Sequence, residues 1–397
     1  MTHTPTPLTR PQGQALPEPQ DAPGLGKDAK TREEERKFYT ASQWRLIWYK
    51  LRKHRLAMTG MMVLAIFYLV ALFCEFVAPY TSQTDFPRHL YHPPSTIHFL
   101  AEEEGRTRLT WPFVYQTKGT LNENFQRVYE EDTTTRYPIQ LFFRGEKYRW
   151  LGLIESDLHL FGVDGAPIFL FGTDRLGRDV FSRVIYGSRV SLSIGLVGVF
   201  LSFILGLSIG GVSGYMGGVV DEVIQRGIDL LQSIPHLPLW MALAAAVPRS
   251  WGTIETYFAI SIVLSIFGWA GLARTVRGKL LSLREEDFAV AAKVSGATDS
   301  RIIAKHLLPL FFSYIIVSLT LAVPAMILGE TSLSFIGLGL QPPAVSWGVM
   351  LQDAQNIAAV ALHPWLMLPC VFVIASVLMF NFLGDGLRDA ADPYSIL

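Results

Sequence analysis

Six stretches of this chain are long and apolar enough to cross a bilayer, and they settle its class before any motif is read. They cover 56–78, 190–212, 229–247, 253–272, 308–329 and 364–383, against the roughly 20 apolar residues that a spanning helix needs. Half of the 397 residues are apolar and only 17% are charged, the balance of a polytopic membrane protein. Stretch 229–247 differs from the rest, because Pro235, Pro238 and a charged start at Asp229 interrupt it. An irregular helix is expected there, of the kind tolerated where it lines a cavity or packs in protein.

Arg45, Lys50, Arg52, Lys53 and Arg55 precede the first span and place that side in the cytoplasm. Six crossings return the C-terminus to the same side. They also put there the loop 273–307, which carries Arg274, Arg277, Lys279, Arg284, Lys293, Arg301 and Lys305. Residues 1–42, rich in Pro, Gly, Gln and charge and without an apolar leader core, read as a disordered cytoplasmic tail, with a regulatory or partner-binding arm as the alternative. Residues 43–80 form the basic entry and first span, 81–170 an extracytoplasmic insert, and 171–397 the remaining membrane core. The insert is too long for a connector. Alternating stretches beginning at Tyr137 and at Lys147 predict strands, hence a small β-rich unit on an otherwise all-α membrane protein.

Several functions are excluded by what the chain lacks. Zero net charge and no basic cluster interleaved with aromatics exclude nucleic acid as a partner, leaving membrane lipid as the expected surroundings. The nine histidines are scattered without His-Glu-x-x-His, so no metal site is expected. Cys74 and Cys370 both fall in predicted spans and act as small apolar residues. There is no Gly-x-Ser-x-Gly elbow and no Gly-x-x-x-x-Gly-Lys-Ser/Thr, so neither catalysis nor ATP binding is expected of this chain.

Three motifs carry the functional reading. In loop 273–307, Glu285, Glu286 and Asp287 supply negative charge where a helix would start. Lys293 lies near its end, and Gly296 is placed to take the left-handed conformation that closes it. Thr298 or Asp299 can cap a second helix through Arg301 and Lys305 to Pro309. Ala289, Ala291, Ala292 and Ala297 give the first helix a slim profile that a partner's groove could accept. Ahead of the second span, Gly172 and Gly177 fit a tight turn, with Asp174 and Asp179 available to pair Arg175, Arg178 or Arg183 as a structural clasp. Glu330, at the outer end of the fifth span, is a pathway or outer-gate candidate with Ser332, Ser334 and Phe335. It could attract an ammonium group or cap a re-entrant segment 331–343 through backbone amides. Asp229 and Arg226 suggest an ion pair or a helix cap.

Ala291, Ala292, Gly296, Leu308 and Pro309 fall in register on the "EAA" loop of permease subunits in ATP-binding cassette importers, which the segment resembles. Val290 stands where that family has a glutamate, and His306 where it has an isoleucine. The stretch Gly172-Thr173-Asp174 with Gly177-Arg178-Asp179 is similar to the signature of C-type permease subunits of dipeptide and oligopeptide importers. The resemblance continues through Gly214 to Arg226, through Glu330 to Pro343 with Ser346-Trp347-Gly348, and through Leu383 to Pro393. The insert is longer than usual there and closer to the extended loop of microcin C-type peptide permeases.

This resemblance implies the type I importer (MetI-like) fold with six transmembrane helices in a bacterial cytoplasmic (inner) membrane. It implies a second, homologous permease as heterodimer partner, two ATPase subunits that hold ATP and Mg, and a periplasmic or extracellular solute-binding protein. The ATPases would dock on Asp287, Ala291, Ala292, Lys293, Gly296, Ala297 and Asp299. Peptides are the implied cargo. The alternatives are nickel, glycosides or opine-like solutes on the same architecture, or an ion-driven secondary transporter.

Overall fold

The computed structural model describes residues 43–103, 106–123 and 127–391; the tail reading for 1–42 lies outside them. Two compact units divide the chain, Met1–Leu46 and Ile47–Leu397. Of the first, only 43–46 is described, as the opening turn of helix α1 (Gln43–Lys53). All other described residues belong to the second unit.

Among the described residues five helices have the length and composition to cross a membrane: α2 (Arg55–Leu72), α4 (Val180–Met216), α7 (Thr253–Leu283), α9 (Asp299–Ile336) and the segment Pro364–Ala391, whose α-helical part is α12 (Leu368–Ala391). The sixth expected crossing, 229–247, is not one helix. It is divided between α5 (Gly218–Ser233) and the short apolar α6 (His236–Ala245). The break follows from Pro235, whose ring disfavours the helical conformation in the residue before it; Ile234 is extended there, at φ −88° and ψ 128°.

The bundle is seamed by glycine. Along α4, Gly206, Gly210 and Gly214 recur every fourth residue and so share one face. A Cβ on Gly206 would lie 2.9 Å from Trp269 O, one on Gly210 2.5 Å from Ala273 O, and one on Gly214 2.8 Å from Arg277 Cα. Backbones that approach this closely gain dispersion contact along their whole length, the usual basis of helix pairing in membranes. Nearer the start of α4, the largest apolar core gathers Leu192, Ile194, Leu264, Ile327 and Trp347 from four segments.

The insert forms a four-stranded antiparallel meander in the order β1 (His98–Glu103), β2 (Arg106–Leu121), β3 (Arg127–Trp150), β4 (Ile154–Val163). Of the two stretches expected as strands, the one beginning at Tyr137 lies on β3, and the one beginning at Lys147 starts on β3 and runs through the hairpin turn to the first residue of β4. The register of β3 against β4 shifts between Arg144 and Tyr148, where the first stretch gives way to the second. Gly145 sits within this shift, where a Cβ would lie 2.9 Å from the His159 ring. The sheet adjoins the start of α4, while α8 (Asp287–Val294) adjoins its other end. With 37 residues at about 1.5 Å each, α4 separates them by roughly 55 Å.

Candidate functional site

At the sheet-bearing end the signature segment folds as a buried clasp. Gly172 and Gly177 take φ of 73° and 79°, a region that L side chains avoid. A Cβ on Gly177 would also lie 2.2 Å from Phe86 O. Both glycines are thus fixed by the strap 86–95, which lies over the loop through the Phe86 amide donating to Gly177 O (3.1 Å) and the Tyr91 amide donating to Asp174 O (3.0 Å). Thr173 joins three segments: its Oγ1 accepts from the His92 amide (2.7 Å), its hydroxyl donates to His89 O, and its carbonyl accepts from Trp365 Nε1 (2.9 Å).

Asp174 is the hub. Its Oδ1 accepts from the amides of Leu176 (2.8 Å) and Arg178 (3.0 Å), and its Oδ2 faces Arg178 Nε at 2.7 Å and Arg183 Nε at 3.7 Å. Arg183 reaches on to Ser82 O at 3.2 Å. Of the expected pairings, Asp174 makes two and Asp179 makes none. Arg175 turns instead to Asp353 at 3.0 Å. Asp179 caps α4, its Oδ2 accepting from the Ser182 amide (2.8 Å) and hydroxyl (2.6 Å).

Burial pushes the Asp179 carboxyl up to about 7 from its ordinary 3.8, against the Ser182 hydrogen bonds that favour its charge. Between those values only the folded form keeps the proton, so this group's contribution to stability falls as pH rises from about 4 to about 7. Buried His92, pushed down to about 4 from 6.5, acts in the opposite sense up to about 6.5. Asp179→Asn keeps the capping oxygen and removes the titration. The stability of the wild type relative to this variant should therefore fall with rising pH, by up to about tenfold in the folded-to-unfolded ratio per pH unit. Unfolding of both proteins across that range measures it, and parallel curves would refute the assignment.

Glu330 is fully buried. Its Oε1 accepts from the hydroxyls of Ser334 (2.8 Å) and Ser346 (2.7 Å), and Ser191 Oγ lies 3.4 Å from Oε2. The expected direct capping of amides is replaced by a relay: the serine oxygens take the amides of Leu340 (3.0 Å) and Val349 (3.1 Å). Ser346 thereby caps α10 (Trp347–Leu351), and Ser191 accepts from the Trp347 amide (3.0 Å). Glu330 thus ties α4, α9 and α10 together. Ser332 is half-buried and Phe335 is exposed, and of the three candidates named with Glu330 Ser334 is the one hydrogen-bonded to it.

At the opposite end α8 closes as expected. Gly296 has φ 81°, its amide donates to Lys293 O (3.0 Å) and the Ala297 amide to Ala292 O (3.1 Å), the double bond of a glycine-terminated helix. The small residues do not all face outward. Ala289 is buried against Leu272, Val276, Leu280, Ile302 and Leu307, with Ala292 and Ala297 partly buried on the same core. The face turned away carries Phe288, Val290, Ala291, Lys293 and Val294.

The second loop helix, expected to end at Pro309, instead runs on. Asp299–Arg301 is followed by a π turn, Ile302–Leu307, and then by Leu308–Ile336, with the helical geometry broken just past Pro309 at Phe311 (φ −121°, ψ 18°).

Sequence reasoning missed the polar fastenings that join this loop to the bundle. Arg284 Nη1 donates to Tyr215 O (3.0 Å), the Tyr215 hydroxyl donates to Asp299 (2.7 Å), and Arg277 forks onto Asp221, which also accepts from Ser213 (2.5 Å). The Arg277 pair holds the Asp221 carboxyl below its usual range despite partial burial. Asp229 pairs with Arg274, and Arg226 with Glu222 at 4.0 Å on its own helix. At the other end Arg189 forks onto Glu75, both contacts at 2.6 Å. Burial alone would raise the Glu75 carboxyl, but Arg189 more than reverses this and holds it low.

Residues 202–394 match the family described as binding-protein-dependent transport system inner membrane component, and residues 42–94 match the N-terminal transmembrane domain of oligopeptide transport permease C. The chain is 43% identical over 224 residues to the dipeptide transport system permease protein DppC of Bacillus subtilis, covering 56% of this chain and 68% of that one. It is 39% identical over 275 residues to the oligopeptide transport system permease protein OppC of the same organism, covering 64% and 88%. With the dipeptide permease DppC of Lactococcus lactis the identity is 31% over 347 residues, 87% of this chain and 89% of the relative. Among solved structures, the inward-facing MetNI methionine ABC transporter is similar at 20% identity and a TM-score of 0.43, covering 53% of this chain and 97% of that one.

Proposed function

The chain belongs to the family of dipeptide and oligopeptide transport system permease proteins, and from that premise we propose that it pairs with a second, homologous permease to enclose the pathway of an ATP-driven peptide importer. The membrane is the bacterial cytoplasmic one, with both termini and α8 on the cytoplasmic side and the sheet outside. Two ATPase subunits carry ATP and Mg and grip α8 here and its counterpart on the partner. A solute-binding protein delivers cargo at the sheet-bearing end. The insert contributes to that contact or covers the entrance.

The observation that carries the coupling part of this reading is the construction of α8. It is held to its own bundle by Ala289 and presents Phe288, Val290 and Val294 outward, the last 83% exposed. A two-turn helix that leaves so much apolar surface uncovered is built for a partner. Its fastenings supply a route for the push: α8 joins α7 to α9 in sequence, and Arg284 and Tyr215 tie its flanks to the end of α4. Because α4 and α7 are seamed backbone to backbone, they move as one body. Closure of the ATPases would then swing that body between inward-facing and outward-facing arrangements, a two-state change. Fastening at the other end by Asp174 and Glu330 would set where the body pivots.

Gly296→Asp tests the loop. No neighbour lies within 4 Å of a Cβ there, so insertion and folding should persist while the left-handed turn is strained and a charge is added beside the exposed face. ATPase recovery with this chain should fall about tenfold or more, equivalent to ~1.4 kcal/mol of lost affinity. Unchanged recovery with unchanged uptake would refute docking on α8.

A further inference from the structure

One side of α2 is uncovered from end to end. Met62, Ile66, Leu69 and Phe73 succeed one another at helical spacing and are 65%, 46%, 57% and 40% exposed. On a spanning helix such a stripe faces hydrocarbon. It does not stop where the helix stops. The Phe73 ring stacks on Trp150 of the β3–β4 hairpin, with centroids 5.6 Å apart and planes within 2°, and Trp150 Nε1 donates to Leu72 O at 3.0 Å.

The hairpin runs back along this helix end. Glu146 binds the Thr81 amide, His159 contacts Ala78 O, Phe142 packs on Phe76, and Trp150 reaches Leu72. Trp150 is thus the hairpin residue that reaches furthest back toward α2, while Phe142, Glu146 and His159 stop at Phe76, Thr81 and Ala78. The turn beyond Trp150 continues by two residues, roughly 6–7 Å of strand. That is about one turn of helix, a length sufficient to bring the tip to the height of Leu69 on the exposed stripe.

The tip is Leu151-Gly152-Leu153-Ile154, in which Leu153 is 82% exposed and Ile154 56%. Leu151 holds φ 49°, a conformation in which leucine is disfavoured and asparagine or glycine would serve the turn better. The next pair back is the ion pair Arg149–Glu155 at 2.6 Å, both members 69% exposed. Apolar tip, tryptophan collar and charged rung succeed one another in the order that a membrane interface imposes.

We propose that the tip of the β3–β4 hairpin is a lipid wedge that seats in the membrane leaflet on the sheet side and holds the insert to the bilayer. The wedge anchors β3 and β4 at the membrane while β1 and β2 stand clear of it, which fixes the tilt of the sheet over the bundle. It rests on the spanning helices alone, so it stands or falls independently of the transport reading.

The test places an environment-sensitive fluorophore on Leu153→Cys in the full chain carrying Cys370→Ser, reconstituted with its co-purifying subunits in phosphatidylcholine–phosphatidylglycerol vesicles. Thr133→Cys, 17 residues before Trp150 on β3 and about 50 Å away along the strand, is the control. Nitroxide-bearing lipids should quench the Leu153 probe at least about threefold more than the control, with iodide in the water doing the reverse. Equal iodide quenching at both positions would place the tip in water and overturn the proposal. Protection from both quenchers would place it against another subunit and overturn it equally.

Discussion

Asp174→Ala should remove more stability than any other single change at the sheet-bearing end. The carboxylate accepts two backbone amides and faces two guanidinium groups, and neither arginine has water to fall back on: the Arg178 and Arg183 side chains are 9% and 4% exposed. Removing one member of a buried ionic cluster leaves the others charged and unpaired, at a cost of about 3–5 kcal/mol. The midpoint of thermal unfolding in detergent should fall by roughly 6–20 °C on the scale of medium-sized domains. Asp174→Asn, which keeps an acceptor for the amides, should fall between the two. Asp353→Ala breaks the pair with Arg175, which is 57% exposed, and should cost no more than about 1 kcal/mol. Equal effects at Asp174 and Asp353 would show that the clasp is not organised around Asp174.

Gly210→Val should disrupt the bundle itself, and its neighbour provides a control of opposite sign. A Cβ at Gly210 meets Ala273 O at 2.5 Å and Ala273 Cα at 2.8 Å, and both are backbone atoms that no rotamer change can move aside. α4 and α7 would have to separate along a seam that also holds Gly206 and Gly214. The cost should exceed the ~1–3 kcal/mol typical of overpacking, and little folded protein should be recovered. One residue on, a Cβ at Gly211 meets only Ile303 Cγ2 at 4.0 Å. Gly211→Ala should therefore be neutral or stabilise by up to ~1 kcal/mol through helix propensity. Detergent-resistant folded yield, compared across the two variants, reads the difference. If both behaved alike, α4 and α7 would not be in backbone contact.

The membrane class, the long spans and the positions of both end motifs were legible because each is a local pattern: apolar length, turn glycines, a capped short helix. Gly296 could be placed in the left-handed conformation from its position alone, and it adopts it. What sequence misplaced was pairing at a distance. Nothing local says that Asp174 rather than Asp179 takes the arginines, because that depends on which carboxylate the start of α4 turns inward to cap the helix.

The serine relay around Glu330 joins residues up to 156 positions apart, and the single long β3 depends on a bulge that alternation alone does not mark. Pro309 misled for a different reason. It signals a helix boundary, but a π turn ahead of it carries the chain through, and the helix is broken only locally, at Phe311. The glycine seam was readable at 206, 210 and 214, since a small residue every fourth position in an apolar run is the recognised signal for close helix approach.

The central claim is that this chain is a passive half-pathway worked by motors on other polypeptides. Purification of the tagged chain from native membranes in mild detergent, with mass spectrometry of what accompanies it, tests that claim most directly. The expected result is recovery of a second, homologous permease together with P-loop ATPases, the ATPases being lost selectively with Gly296→Asp. Recovery of the chain alone, folded and able to move solute without ATP, would contradict it.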